Sequence, residues 1–443
     1  MRIIVLKGSP KGQVSVTMQY VAFIQKKYPE TSFEIIDIAQ QIKHIEKNEA
    51  VFDDIIRKVK AADAVLWAFP LYIFLVHGNY KRFIELVNER KAIPAFSGKP
   101  AAVLTTSIRF FDHTAHNYLR GICDDWDMKF YAGYSADMND LFKEAERERL
   151  LQFVRGFFQA VQQDEAAARE YFPLTHNVEY VPVDEPTKVE TLGRKVVILT
   201  DAAEEEGQAS LNRMLTHLTA VFNGQAQVVH LRALTIKGGC LGCLRCGYDN
   251  TCSYDGKDDF INFYHNTLKT ADVLIFAGAI RDRYLSSIWK TFFDRTFFNT
   301  HIPSFAGKQI GFLISGPLRQ LPNLRQIFTA YTEWQQANLV GIVTDEEAGD
   351  PGKVDRLLTQ LAGRSIEYAS SHYIKPPTFL GLGGHKIFRD EIWGNIRFPF
   401  IADHRYYKNH GIYDFPQKDY SVRLRNLLMS ILVKLPFCAQ RNL

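Results

Sequence analysis

Two long stretches of the chain repeat each other in a single register. Ala62-Asp63-Ala64-Val65-Leu66 matches Ala271-Asp272-Val273-Leu274-Ile275, and Lys81-Arg82-Phe83 matches Lys290-Thr291-Phe292, both at an offset of 209. Gly98-Lys99 ahead of Ala101–Leu104 matches Gly307-Lys308 ahead of Ile310–Ile314 at the same 209. Three landmarks at one offset mean that one folding unit occurs twice. The opening apolar runs, Ile3–Leu6 and Val196–Leu199, are offset by only 193. The second copy therefore carries sixteen more residues between its first strand and its Ala-Asp strand.

Each copy alternates short β-branched runs with amphipathic stretches. In the first, Ile3–Leu6, Phe33–Ile36, Ala64–Ala68 and Ala101–Thr105 read as strands, with helical patterns at Thr17–Lys27, Phe52–Ala61 and Lys81–Asn88. That alternation predicts a parallel sheet covered on both faces, with ligands at the carboxyl ends of its strands. The expected organisation is α/β: a doubly wound domain over 1–172, a connection over 173–194, a second such domain over 195–372, and an extension over 373–443. A length of 443 residues accommodates this.

The composition, 46% apolar and 23% charged, is that of a globular protein and not of a disordered or coiled-coil chain. A formal charge of only +4 gives little attraction for nucleic acid. In the extension, basic and aromatic residues interleave around Asp403-His404-Arg405-Tyr406, but acidic residues punctuate every basic cluster, so no nucleic-acid partner is expected. The N-terminus has no charged leader before an apolar core, and no run nears the ~18 apolar residues of a membrane span. The expected location is the cytoplasm, with no transmembrane segment. The Val422–Phe437 stretch reads as an amphipathic helix that docks onto the protein.

Strand one leads into Gly8-Ser9-Pro10-Lys11-Gly12-Gln13-Val14-Ser15-Val16-Thr17 and then a helix. Glycines and hydroxyls at a helix N-terminus converge donors on an anion. Neither Gly-Lys-Ser/Thr nor GxGxxG is present, so this is neither a triphosphatase loop nor a dinucleotide fingerprint. By itself it also fits a polar turn capped by Ser15 or Thr17. The Ala64–Ala68 strand ends in Phe69-Pro70-Leu71-Tyr72-Ile73-Phe74, and the next ends in Thr105-Thr106-Ser107. A phosphate-like, an aromatic and a hydroxyl-rich loop at three strand ends suit a flat ring with a phosphate tail.

These residues resemble the flavodoxin-like NAD(P)H-dependent FMN reductase family. The resemblance implies two tandem flavodoxin-like domains, with FMN in the first and NAD(P)H as a transient substrate. It implies phosphate binding by Ser9, Lys11, Ser15 and Thr17, and a ring flanked by Pro70, Leu71, Tyr72, Ile73 and Phe74. Thr105, Thr106 and Ser107 would close the third side. Val16 stands where the family often has Asn, leaving a backbone N–H to serve.

Four of the six cysteines, Cys240, Cys243, Cys246 and Cys252, form C-x2-C-x2-C-x5-C. Thiols this close in sequence are not a disulfide framework. The run is closest to those that hold iron–sulfur clusters, and it resembles the iron–sulfur flavoproteins, in which such a run follows the second strand and binds a [4Fe–4S] cluster. Gly238-Gly239 before it and Asp258-Asp259 after it strengthen the likeness. Zinc and metal-free redox thiols are the other readings. Cys123 and Cys438 lack ligand-type neighbours and read as structural.

The second copy has Thr200-Asp201-Ala202-Ala203-Glu204-Glu205-Glu206-Gly207 at the phosphate-loop position and Ala279-Ile280-Arg281-Asp282-Arg283-Tyr284 at the ring loop. Carboxylates repel a phosphate there, so FMN loss is expected in this copy, with Ser210 and Asn212 left as helix caps. Relatives of this resemblance pair through their flavin-bearing faces, as a homodimer does; a tandem could make that pairing within one chain and bring the cysteines to the flavin. His113, His116 and Arg109 follow the third loop, and structural roles are expected for them. The function expected is an FMN-dependent oxidoreductase passing electrons from NAD(P)H, through a cluster, to a small-molecule or protein acceptor. The alternatives are an electron carrier fed by a protein donor and a cysteine-based redox or metal sensor.

Overall fold

A computed structural model describes residues 1–203, 209–350 and 352–432. Glu204–Glu206, Cys438 and the end of the expected Val422–Phe437 helix lie outside the described residues. The first sheet holds β1 (Arg2–Lys7), β2 (Ser32–Asp37), β3 (Ala64–Pro70), β4 (Pro100–Thr106) and β5 (Lys129–Ala136). All pair parallel, in the order β2-β1-β3-β4-β5. The second holds β6 (Val196–Thr200), β7 (Gln227–His230), β8 (Val273–Ala279), β9 (Gln309–Ser315) and β10 (Asn338–Thr344), in the matching order β7-β6-β8-β9-β10. Both are flavodoxin-like α/β sheets.

The two-residue period of β1 sorts its side chains into layers. Ile3 and Val5 pack with Met18, Val21, Leu150 and Val154 on one face, while Ile4 and Leu6 meet Phe52, Phe83 and Tyr118 on the other. In β6, Val196 and Ile198 likewise face the helices Ala209–Val221 and Lys353–Ser371. Val197 and Leu199 face Trp289, Phe292 and Phe328. One apolar cluster runs unbroken from Trp67 and Phe83 to Trp289 and Phe292, so the two copies share a core. Each such buried side chain contributes ~1.5–3 kcal/mol, so neither inner face could be left bare.

The join is made by the helices Gly78–Glu89 and Ser287–Arg295, which occupy equivalent positions in the repeat and pack on each other. A Cβ at Gly78 would fall 2.7 Å from Thr291 Oγ1, so glycine permits this close crossing. The helix starts are capped reciprocally. Gly78 N donates to Asp294 at 2.7 Å, and Ser287 N and Oγ donate to Glu85, each at 2.6 Å. Reciprocity of this kind is the signature of a two-fold interface, made here within one chain.

The sixteen extra residues fall between β7 and β8. Where the first copy places the helices Ile42–Lys47 and Glu49–Ala61, the second has the cysteine loop and the short helices Cys246–Asp249 and Phe260–Phe263. The extension is helical over Phe379–Trp393, Ile401–Asn409 and Tyr420–Leu432. Its first helix packs on Pro322–Trp334 and its second on Cys246–Asp249. Among the described residues no helix is long and apolar enough to cross a membrane.

Candidate functional site

The carboxyl ends of β1, β3 and β4 meet where the strand order reverses, the place at which open α/β sheets bind ligands. The loop after β1 enters the helix Val16–Lys27 through a 3-10 turn at Gly12–Val14. Ser15 stands at that helix's N-cap, buried, and its hydroxyl makes no capping bond. Ser9 is buried, with Oγ accepting the Lys11 amide at 3.3 Å. Thr17 and Thr106 share a hydrogen bond of 2.6 Å between their hydroxyls, tying this helix to the end of β4. Thr105 turns elsewhere, to His116 Nε2 at 2.7 Å. Ser107 Oγ accepts the Arg109 amide at 2.7 Å.

The loop after Pro70 is a tight turn in which Tyr72 N donates to Leu75 O at 2.9 Å and Leu75 N to Tyr72 O at 3.0 Å. Ile73 and Phe74 both take positive φ, 35° and 63°. A β-branched residue in that region is strained, and the Thr114 hydroxyl donating to Phe74 O at 2.5 Å helps to hold it. Leu71, Ile73, Phe74, Ser107, Ile108, Phe110 and Met138 form one wall of an apolar pocket of ≈ 200 Å³. The opposite wall comes from the second copy, with Phe297, His301 and Trp334, and from the extension, with Phe388, Ile396 and Phe400.

Beside that pocket Cys240, Cys243, Cys246 and Cys252 all line one hollow of ≈ 20 Å³, closed by Leu241, Leu244, Tyr254, Arg295, Phe297 and Phe298. Phe297 lines both spaces. Two backbone amides donate to sulfur, Gly242 N to Cys240 at 3.4 Å and Tyr254 N to Cys252 at 3.5 Å. Burial pushes the Cys240 and Cys246 thiols up to about 12, and the neighbouring cysteines add to it. Among the described residues no three His, Cys, Asp or Glu side chains are gathered as around a single ion.

The cysteine loop is seated on the ring loop. A Cβ at Gly242, whose φ is +62°, would lie 2.2 Å from Tyr72 Oη and 3.1 Å from Lys11 Cε. Burial, followed by the nearby Cys240, raises the Tyr72 phenol well above its ordinary range. Burial lowers Lys11, opposed by Cys240 and Cys243. His77 caps its helix by accepting the Asn79 amide on Nδ1 at 3.2 Å, so Nε2 carries the hydrogen and donates to Cys240 O at 2.8 Å. Burial depresses this imidazole and keeps it neutral.

Residues 1–139 match the family model of NADPH-dependent FMN reductases. The first domain is similar to that family. Solved structures similar to it include FerB, a flavoenzyme NAD(P)H:(acceptor) oxidoreductase from Paracoccus denitrificans, at 19% identity over 37% of this chain and 98% of that one, TM-score 0.31. Another is the apo form of the NADH:FMN oxidoreductase EMOB, at 16% identity over 36% and 89%, TM-score 0.31. A third is an FMN-dependent NADH-azoreductase from Bacillus anthracis in complex with FMN, at 13% identity over 37% and 99%, TM-score 0.27. No curated protein sequence matches the chain.

Among the described residues, the corresponding loops of the second copy make other contacts. Asp201, at the Gly8 position, is buried, accepts the Ser286 hydroxyl, and takes the Trp289 indole N–H at 2.9 Å. Arg283 of the second ring loop forks onto Asp125 of the reductase domain at 2.7 and 2.8 Å and donates to Phe172 O at 2.7 Å. Leu174 and His176 of the connection line the hollow beside Ile280 and Pro317, the counterpart of the apolar pocket. Ser210 Oγ accepts the Tyr180 amide at 3.0 Å, and Asn212 Nδ2 donates to Ala203 O at 2.8 Å.

Around the reductase domain's own loops, Arg109 pairs with Asp140 at 2.9 Å and His113 reaches Gln326 at 3.4 Å. Sequence reasoning missed His77, His301 and Asp403. The signal for His77 was its place directly before a helix that begins Gly-Asn. Nothing local marked the other two.

Proposed function

We propose that the chain is an FMN-dependent oxidoreductase that takes electrons from NAD(P)H and passes them through a [4Fe–4S] cluster to an acceptor. FMN would lie with its phosphate at Ser9, Lys11, Ser15, Val16 N–H and Thr17. Its ring would lie along Pro70–Phe74 and be closed by Thr106 and Ser107; Thr105 would support that side through His116. Cys240, Cys243, Cys246 and Cys252 would hold the cluster. The flavin supplies hydride acceptance and the cluster one-electron transfer. What the chain contributes is placement: the strained ring loop, the dry aromatic walls, and the amide donors to Cys240 and Cys252 that tune a cluster's potential.

The observation that carries this reading is the shared wall. Phe297 lines both the apolar pocket and the cysteine hollow, and Gly242 rests on Tyr72, so a single layer of side chains separates the two spaces. The exposed Cys243 leaves the far side of the hollow open to a partner. Anaerobic purification with a visible spectrum and iron, sulfide, zinc and flavin analysis tests it. One FMN with about four irons and four sulfides per chain is expected. Flavin without iron would remove the relay and leave a flavin reductase with spare thiols.

A further inference from the structure

Among the described residues His301 is the one ionisable side chain lining the apolar pocket, and it belongs to neither loop that the flavin reading uses. It is buried against Phe388 and Phe400, with ring centroids 4.2 and 4.5 Å away. Its Nδ1 lies 2.6 Å from Asp403 Oδ2. Asp403 is fully buried on the helix Ile401–Asn409 of the extension. The same carboxylate accepts the Thr300 hydroxyl and, at 3.3 Å, the His301 amide. Tyr407 Oη donates to His301 O at 3.0 Å.

A carboxylate offers only acceptors, so Nδ1 carries the hydrogen in this pair and Nε2 is the nitrogen left for the pocket. Thr300, just before His301, has φ 53°, a strained value for a β-branched residue. It is held by Asp403 and by Asn250 Nδ2 at 3.0 Å, from within the cysteine segment. A buried dyad on strained backbone, completed by a segment with no counterpart in the first copy, is far more than packing requires. Asp403 and Tyr407 are the titratable groups that face the imidazole; its other neighbours are Phe297, Trp334, Phe388 and Phe400.

We propose that His301 is the proton relay of the pocket, with Asp403 as its positioning residue. The inference rests on the flavin–cluster reading above. A hydride from NAD(P)H brings two electrons and one proton. When both electrons leave one at a time by way of the cysteine hollow, that proton remains behind in a pocket whose other lining side chains are not ionisable. Nε2 takes it and returns it to solvent, so NAD(P)H becomes NAD(P)⁺, two electrons reach the acceptor, and one proton is released.

The test uses the full-length protein loaded with FMN and iron, with ferricyanide as the electron acceptor. His301→Gln keeps hydrogen-bonding groups but cannot shuttle a proton, and the NADH–ferricyanide rate is expected to fall about 10²-fold. His301→Gly is expected to regain part of the rate with added imidazole. Independently of turnover, a histidine-labelled proton–nitrogen spectrum of the oxidised protein should show a strongly downfield Nδ1–H. That resonance should disappear in His301→Gln and in Asp403→Asn. Variants that retain FMN and iron, turn over at the wild-type rate and ignore imidazole would overturn the relay alone. A wild-type protein that takes up no FMN would overturn the flavin reading, and the relay with it.

Discussion

Glu85 and Ser287, 202 residues apart, meet through two hydrogen bonds of 2.6 Å, one from the amide and one from the hydroxyl. The carboxylate also holds Lys81 at 3.0 Å and Arg82 at 3.1 Å. Lys81 and Lys290 are both fully buried, and each depends on the carboxylate four residues on in its own helix. These charges cross the interface between the copies and add, at both helix starts, to the local caps that His77 and Ser286 supply.

Glu85→Ala removes the bonds to Ser287 and leaves Lys81 with Asp282 alone, 2.7 Å away. A loss of about 3–5 kcal/mol is expected in denaturant unfolding, as for other broken buried pairs. Asp294→Ala should behave alike, because it strips both Lys290 and the Gly78 amide.

The same carboxylate predicts an acid dependence. Burial by itself would raise the Glu85 carboxyl, but Lys81, the Ser287 hydroxyl and Arg82 outweigh it and hold the group below the ordinary glutamate range. A folded-state value depressed in this way stabilises the protein above about pH 4.3 and loses that contribution as pH falls through the folded value. Circular dichroism during acid titration should therefore show a shallower loss of stability in Glu85→Gln than in the wild type.

Ser9→Ala tests the phosphate seat. Losing one hydrogen bond to a charged group should weaken FMN binding about ten- to a hundredfold, read by flavin fluorescence titration of the apoprotein. Saturation is expected at about one FMN per chain, because carboxylates at the second copy's loop position repel a phosphate.

Gly242→Ala tests the contact between the loops. Its Cβ would be placed 2.2 Å from Tyr72 Oη at a φ of +62°. The loop must move away, at a stability cost of about 1 kcal/mol or more. On the proposed function, bleaching of the cluster after rapid mixing with NAD(P)H should slow while FMN content stays unchanged.

Much of this was legible in the sequence, because the signals were local. The offset of 209 carried the tandem sheets, and the thiol spacing marked a ligand-type segment. Gly8–Thr17 and Pro70–Phe74 marked the loops that meet at the first switch point. What stayed hidden was long-range pairing. His301 and Asp403 are 102 residues apart, and the Gly78 amide lies 216 residues from Asp294. The repeat aligned Lys81 with Lys290 but gave no hint that each helix caps the other. A carboxylate four residues after a lysine reads as an ordinary helical pair, and only the crossing of the two helices gives it a second use.

In a symmetric pair of identical subunits every substitution falls on both halves at once, so a seat cannot be surrendered on one side alone. Joining the halves into one chain lifts that constraint. Here Leu174 and His176 of the connection line the hollow beside the second copy's Ile280, and its cysteine loop rests on Tyr72 of the first copy. A lopsided division of labour of this kind is closed to a homodimer.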